Sequence, residues 1–162
     1  MSVYKSAEEF TKIYEEFMRR VMSHPRMGPK LASSKLVITF VYTDPNVSFT
    51  VNFKPDAPKA KEGDHGAFVF GPESPWKVDV TFTQTADLGN KFWQGKVNVI
   101  AALAKRQVRA NGSITSALKL LPAIRPAFKV YPEVLKDLGF NHLVIGGLPA
   151  ESHEPPQMTA GA

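Results

Sequence analysis

Four histidines are the side chains in this chain best suited to acid–base or metal chemistry near neutral pH. His24, His65, His142 and His153 lie far apart in the sequence, and no two have the spacing of a helical metal-binding pair. The chain contains no cysteine, which excludes disulfides, thiol catalysis and cysteine-ligated zinc. We therefore expect no catalytic residues, no metal site and no cofactor, and we predict that the protein is not an enzyme.

The carboxylates do not form the pairs that general acid–base catalysis uses. Asp44 lies in a Thr-Asp-Pro-Asn turn, Asp64 lies in a polar loop, and Asp79 falls on the polar side of an alternating segment. Glycine-rich nucleotide-binding loops are also absent from the sequence. The lone pair of Gly95 and Lys96 is too short to indicate a phosphate site, because a helix end followed by a solvated lysine explains it.

A basic segment, residues 88–132, carries the clearest charge pattern in the chain, whose formal net charge is +5. The segment has no acidic residue and eight basic ones: Lys91, Lys96, Lys105, Arg106, Arg109, Lys119, Arg125 and Lys129. Such a block favours an anionic partner, namely anionic lipid, a phosphate-bearing ligand such as an acyl-CoA, or nucleic acid. A solvated basic face without a dedicated partner is the alternative. The residues predicted to contact membrane or phosphate are Lys91, Lys96, Lys105, Arg106 and Arg109.

Two aromatic residues, Phe92 and Trp93, lie beside the lysines of this basic segment. Exposed aromatic rings next to cations can stack on the bases of single-stranded nucleic acid. The same two residues also fall where a short helix needs core-facing side chains. We favour the core interpretation and expect no nucleic-acid partner, although a basic nucleic-acid-binding module stays an alternative function.

The N-terminal segment has the pattern of an amphipathic helix. Ser6 and Glu9 form a capping box, which predicts the start of the helix. One apolar face follows at steps of three and four residues: Phe10, Ile13, Tyr14, Phe17, Met18 and Val21. Pro25 disfavours helical geometry in the residue before it, so we expect the helix to end near Ser23.

Extended segments follow this helix. Residues 36–42 and 47–53 flank a Thr-Asp-Pro-Asn turn, and the second segment alternates between apolar and polar residues. This pattern predicts an antiparallel hairpin with one buried face. Residues 66–70 and 76–83 are predicted as two further strands of the same sheet.

Short helices and one more strand are predicted after residue 84. Thr85 and Asn98 are candidate N-caps of two short helices, and Gly95 is a candidate stop for the first. A strand is predicted over 106–112 and a helix over 114–121. Beyond them an apolar seam continues to Gly139, interrupted by three prolines, which predicts short or kinked helices: the prolines are Pro122, Pro126 and Pro132.

The domain organisation expected from this pattern is one domain over 1–140 and a C-terminal tail over 141–162. The tail is proline-rich and poor in large apolar residues, so we expect it to be partly disordered. The sequence contains no apolar run long enough to span a membrane, no secretory signal and no C-terminal peroxisomal tripeptide. We expect a cytoplasmic protein.

The order of these elements, and above all residues 74–121, resembles the sterol carrier protein type 2 family, also called non-specific lipid-transfer proteins. The features that carry the resemblance are a strand, a Thr-rich turn with an Asp-containing helix, a Gly-Lys pair, an apolar segment, a basic strand and a helix ending in a "KL" motif. In this sequence they lie at 78–83, 87–93, 95–96, 97–103, 106–111 and 117–121.

The resemblance implies an α+β fold, with a five-stranded, mainly antiparallel sheet covered by helices, an N-terminal helix and extra C-terminal helical segments. It implies a non-catalytic carrier of fatty acyl chains, acyl-CoA or sterol-like molecules in an apolar cavity between sheet and helices. An accessory domain of lipid-metabolising enzymes is a further alternative. The residues hypothesised to line the cavity are Val78, Val80, Phe82, Phe92, Trp93, Val97, Ile100, Leu103, Leu118 and Leu121. For each of them, simple filling of the core is the alternative.

Overall fold

A computed structural model describes residues 2–146 of the chain. These residues form six α-helices, five strands and a closing 3-10 turn over Asn141–Leu143. The bounds, in chain order, are α1 Ala7–Met22, α2 Met27–Ser34, β1 Val37–Thr43, β2 Val47–Asn52, β3 Ala67–Phe70, β4 Val80–Thr85, α3 Ala86–Phe92, α4 Val99–Ala104, β5 Arg109–Gly112, α5 Ile114–Leu118 and α6 Ala127–Asp137. The predicted α+β class is confirmed.

The sheet has the strand order β3-β2-β1-β4-β5. Strands β1 and β2 form the predicted antiparallel hairpin, and β2–β3 and β4–β5 are antiparallel as well. Only the central β1–β4 pair is parallel, so the sheet is mixed and mainly antiparallel, as expected. The parallel pair requires a crossover between β3 and β4, and the loop 71–79 provides this connection.

The residue pairing defines which side chains share the helix-covered face of the sheet. Phe40 of β1 lies opposite Phe49 of β2 and Phe82 of β4, and Ile38 lies opposite Val51 and Val80. Because side chains alternate along a strand, the residues between them point to the other face. There the Thr39 and Thr50 hydroxyls form a buried 2.7 Å hydrogen bond.

Helix α1 begins at the predicted cap. The Ser6 hydroxyl accepts a 3.0 Å hydrogen bond from the Glu9 backbone N–H, and the Glu9 carboxylate accepts one from the Lys5 N–H. The predicted apolar stripe of α1 is buried, and α6 packs against this helix. A 3.0 Å ion pair between Arg20 and Asp137 joins the exposed edges of the two helices.

A close approach of α3 to the sheet depends on Gly89. A Cβ atom at this position would lie 2.6 Å from the ring of Tyr42 on β1. Glycine therefore allows the helix backbone to rest against the tyrosine ring. The predicted caps of the two short helices are also present, since the Thr85 hydroxyl accepts from Leu88 N–H and the Asn98 amide oxygen accepts from Ala101 N–H.

The structure departs from the sequence-based prediction in one helix and in the bounds of several other elements. Helix α2 was not predicted: its start has no side-chain cap of its own, and the His24 Nδ1 atom accepts the N–H groups of Arg26 and Met27 instead. Strand β4 begins at Val80 and not at residue 76. Strand β5 begins at Arg109 and not at residue 106, and helix α5 ends at Leu118 and not at residue 121. Beyond β5, the predicted short helices are present as α5 and α6, and Pro132 lies buried inside α6.

The expected C-terminal tail lies mainly outside the described residues, since 147–162 are not part of the description. Within the part that is described, Leu143 is buried and its carbonyl oxygen accepts hydrogen bonds from the Asn90 and Gln94 side chains.

Candidate functional site

A partly enclosed cavity of about 110 Å³ lies between the helix-covered face of the sheet and the surrounding helices. Its wall is built from side chains of β1, β2, β4 and all six α-helices, with α6 contributing only its first residue, Ala127. The segments between these elements, including the turns that follow α5, complete the wall. The lining residues are Met18, Val21, Met27, Leu31, Ile38, Phe40, Val51, Phe53, Phe82, Gln84, Phe92, Trp93, Val97, Val99, Val108, Ala117, Leu118, Leu120, Leu121, Ile124 and Ala127.

The lining is apolar apart from one amide, the side chain of Gln84 at the penultimate position of β4. Gln84 is half-buried, and it follows Phe82 on the helix-covered face. The neighbouring residues Thr83 and Thr85 point to the other face because the strand alternates. A cavity with this lining suits hydrocarbon, with side-chain hydrogen bonding available at Gln84.

Trp93 separates the cavity from an aromatic core. Its ring lines the cavity, is 5% exposed and packs edge-on against Phe17 and Phe92. Its indole Nε1–H donates a 3.2 Å hydrogen bond to the Tyr42 hydroxyl. Burial raises the pKa of Tyr42 to about 12, and hydrogen bonds from Trp93 and Gln84 oppose that shift.

A buried polar network closes the other side of the aromatic core. The Tyr131 hydroxyl lies 2.7 Å from the Tyr4 hydroxyl and donates a 2.8 Å hydrogen bond to Asn90 Oδ1. Gln94 Nε2 donates to the same oxygen, and Tyr14 lies 3.3 Å from Tyr4 through their hydroxyls. Burial raises the pKa of all three of these tyrosines above the usual range. Each polar group here has a partner, so the network is suited to holding helices together and leaves little capacity for a ligand.

The structure places six of the ten hypothesised cavity residues in the cavity wall: Phe82, Phe92, Trp93, Val97, Leu118 and Leu121. The other four lie outside it for different reasons. Val78 precedes β4 and is in the loop, whereas Val80 is 1% exposed and packs in the closed core. Leu103 is half-buried on α4, outside the wall. Ile100 is 59% exposed, because Val99 and the buried Ala102 occupy the inner side of α4.

Sequence reasoning missed the lining contributed by the N-terminal helices and by Gln84. Met18 and Val21 belong to the predicted apolar stripe of α1. Such a stripe indicates which residues are buried, but it does not indicate which of them line a cavity. Met27 and Leu31 lie on α2, the helix that was not predicted. The only sequence signal for Gln84 is that it shares the strand face of Phe82.

The basic residues predicted to contact membrane or phosphate are all exposed, but they do not share one face. Arg109 pairs with Thr83 on the sheet face opposite the cavity. Lys96, Lys105 and Arg106 flank α4, and the Lys96 N–H bonds the carbonyl of Lys91, which keeps these two residues close. Within the part of the chain that the structure describes, no ion pair involves any of the eight basic residues of 88–132.

The described histidines have structural contacts. His24 caps α2, the His65 ring fills the space next to Gly28, and the His142 ring lies 6.2 Å from that of Phe140. His153 lies outside the described residues. Over residues 2–146 no group of three or more acidic or histidine side chains is arranged to hold a metal ion. Over the same range no helix is both long and apolar enough to cross a membrane.

The aromatic pair considered for stacking on bases packs against neighbouring side chains. Trp93 is buried, and Phe92 is half-buried in the cavity wall with its ring edge-on to Trp93 and Phe128. Trp93 therefore offers no exposed ring face to a base, and the Phe92 ring is already engaged in the cavity wall. The core interpretation of this pair is the one that the geometry supports.

Comparison with known sequences gave no match: no protein-family model and no curated protein matches this chain. Solved structures do match it in fold. A conserved hypothetical protein from Thermus thermophilus has a TM-score of 0.57 and 14% identity, over 83% of this chain and 95% of that one.

Several of the matching structures are sterol carrier proteins. The sterol carrier protein domain 2 of Helicoverpa armigera has a TM-score of 0.54 and 19% identity, over 73% of this chain and 89% of that one. Sterol carrier protein 2 from Yarrowia lipolytica in its apo form has a TM-score of 0.53 and 16% identity, over 75% of this chain and 91% of that one. At these identities the likeness concerns the fold. The chain has the fold of sterol carrier protein 2, as the resemblance over 74–121 implied.

Proposed function

We propose that this protein binds a lipid or similar hydrophobic molecule in the cavity and carries it without changing it chemically. The observation that carries the proposal is the cavity wall, in which Gln84 is the only polar side chain among 21 residues. Filling such a space with hydrocarbon removes apolar surface from water, at about 25 cal/mol per Å². Water molecules in such a cavity would find almost no hydrogen-bond partners in its wall.

The size of the cavity indicates how a ligand enters. Its volume of about 110 Å³ is below the roughly 300–1,000 Å³ of pockets for drug-sized ligands. A long acyl chain or a sterol therefore requires the wall to move outward. The part of the wall best suited to move is 114–126, where the five-residue helix α5 is followed by turns and the side chains are mostly half-buried.

The chemistry of the wall also restricts the ligand. A carboxylate or phosphate placed among these apolar side chains would be buried without a cation, which is strongly unfavourable. The ligand should instead place its hydrocarbon in the cavity and any charged group outside it. One uncharged polar group, such as a hydroxyl, can be accommodated where it reaches the Gln84 amide.

Extraction of the purified full chain with organic solvent, followed by mass spectrometry, tests the proposal. We expect lipid at a ratio approaching one molecule per chain. A variant with a filled cavity, Leu118→Trp, should carry much less lipid after identical purification. Absence of lipid from the extract, together with no binding of an added fluorescent fatty acid, would show that the cavity is only a packing defect.

A further inference from the structure

Helix α4 presents two different apolar sides. Val99 and the preceding Val97 line the cavity, and Ala102 is buried beneath them. On the outer side Ile100 is 59% exposed, and Ala104 follows it one turn later, also exposed. Ile100 is the most exposed of the large apolar side chains in the part of the chain that is described. One short helix therefore forms the cavity wall and the protein surface at once.

Exposed cations lie at both ends of this helix. Lys96 stands two residues before its N-cap, Lys105 is its C-cap, and Arg106 follows directly. A six-residue helix is about 9 Å long, so all three cations lie within roughly one helix length of Ile100. The basic segment around them contains no acidic residue, and no described carboxylate pairs with them. Their charge is available to an external anion.

We infer that the outer side of α4 docks on an anionic lipid bilayer, with Ile100 inserted and Lys96, Lys105 and Arg106 at the lipid phosphates. An apolar side chain between cations matches the interface of such a bilayer, where each basic residue contributes about 1 kcal/mol near the surface. The patch consists of Ile100, Ala104 and three cations, whereas each partner in a stable protein interface contributes roughly 20–30 residues. An anionic bilayer is therefore the partner that its size and charge fit.

This inference rests on the proposed function only where it concerns how a ligand reaches the cavity. Because the inner side of α4 lines the cavity, contact of its outer side with a bilayer would bring the cavity wall to the membrane surface. A hydrophobic ligand could then move between bilayer and cavity without crossing bulk water. Docking itself does not require that the cavity hold a ligand, so the two proposals can fail separately.

The test is the partition of the full chain onto vesicles of phosphatidylcholine, with and without phosphatidylserine at roughly one lipid in four. The docking variants are Ile100→Ser and the double variant Lys96→Glu with Lys105→Glu. The matched controls are Ile145→Ser, at another exposed isoleucine, and the double variant Lys59→Glu with Lys61→Glu. These two lysines lie in the exposed loop between β2 and β3. All these positions are exposed, so the variants should fold like the wild type.

We expect the wild type to prefer anionic vesicles. Ile100→Ser should weaken this binding about tenfold, since an inserted isoleucine loses its apolar contact. The double charge reversal should remove the preference for anionic lipid, whereas both control variants should bind within about twofold of the wild type. The inference would be overturned if the wild type bound both vesicle types equally, or if the control variants lost as much binding as the docking variants. It would also be overturned if the chain bound an oligonucleotide more tightly than vesicles, in a salt-dependent way that Ile100→Ser did not change.

The absence of cysteine from the chain allows a second measurement. A fluorophore sensitive to its surroundings, attached after Ile100→Cys, should shift to the emission of an apolar environment when anionic vesicles are added. The same label attached after Ile145→Cys should not shift. A shift at position 145 alone would place the bilayer contact elsewhere. Lipid in the solvent extract combined with no vesicle binding would leave the carrier proposal intact and remove only the docking face.

Discussion

The indole Nε1–H of Trp93 donates a hydrogen bond to the Tyr42 hydroxyl, and this 3.2 Å contact fixes the boundary between the cavity and the closed core. The Trp93 side chain borders the cavity, while Tyr42 is 1% exposed, stacks on Phe49 of β2 and packs at a tilt against Phe10 of α1. The hydrogen bond holds the ring in one orientation. We therefore expect a ligand that fills the cavity to contact Trp93.

Trp93 should report a bound ligand directly. In the variant Trp76→Phe, which leaves Trp93 as the single tryptophan, a brominated fatty acid should quench the fluorescence because its bromine atoms would contact the ring. The reciprocal variant, Trp93→Phe, leaves Trp76 in the loop before β4, outside the cavity wall. Its emission should be almost unchanged. Stronger quenching of Trp76 than of Trp93 would place the ligand at another site.

Gln84 should discriminate between ligands that differ by one hydroxyl. Gln84→Leu should weaken the binding of a long-chain alcohol about two- to tenfold, since a neutral hydrogen bond contributes about 0.5–1.5 kcal/mol. The affinity for the alkane of equal length should stay the same or rise. Thr83→Val, next in the strand but on the other face of the sheet, is the control and should change neither affinity. Equal loss for the alcohol and the alkane would mean that Gln84 only shapes the wall. Titration calorimetry measures both.

Alkaline pH should unfold the protein and ionise its tyrosines in the same transition. All four tyrosines are buried, and burial raises each pKa, that of Tyr42 to about 12. The folded state thus holds phenolic protons more tightly than the unfolded chain, whose tyrosines titrate near pH 10. This contribution to stability is fully present below about pH 10. Above it, the free energy of unfolding should fall by up to about 1.4 kcal/mol per pH unit for each tyrosine.

Phenolate absorbance and far-UV circular dichroism, recorded together against pH, test this expectation. The two signals should change in one coincident step. A phenolate signal that appears near pH 10 while the circular dichroism stays native would show that the tyrosines are accessible. It would also remove the basis for treating the aromatic core as closed.

The parts of the fold that the sequence predicts well have local signals. The capping box at Ser6 and Glu9 and the alternating segment 47–53 each contain, within a few residues, the groups that define the element. Helix α2 lacks such a signal because its cap is His24, a residue of the preceding turn, and because Gly28 and Pro29 lower its helical propensity.

The candidate site is harder to predict because a cavity is defined by residues distant in the sequence. All six residues of α4 are apolar, so hydrophobicity alone does not tell that Val99 faces inward and Ile100 outward. Gln84 likewise has no distinguishing pattern, and only the packing of helices over the sheet shows that it borders the cavity.

The most direct test of the account is the titration of the chain with a fluorescent fatty acid in matched leucine variants. Leu118 lines the cavity, whereas Leu103 is half-buried outside its wall. We predict saturation near one ligand per wild-type chain, at least tenfold weaker binding for Leu118→Trp, and unchanged binding for Leu103→Trp. Stability to denaturant should be compared, because overpacking costs about 1–3 kcal/mol. Equal binding by Leu118→Trp and the wild type, with both folded, would contradict the claim that this cavity holds the lipid.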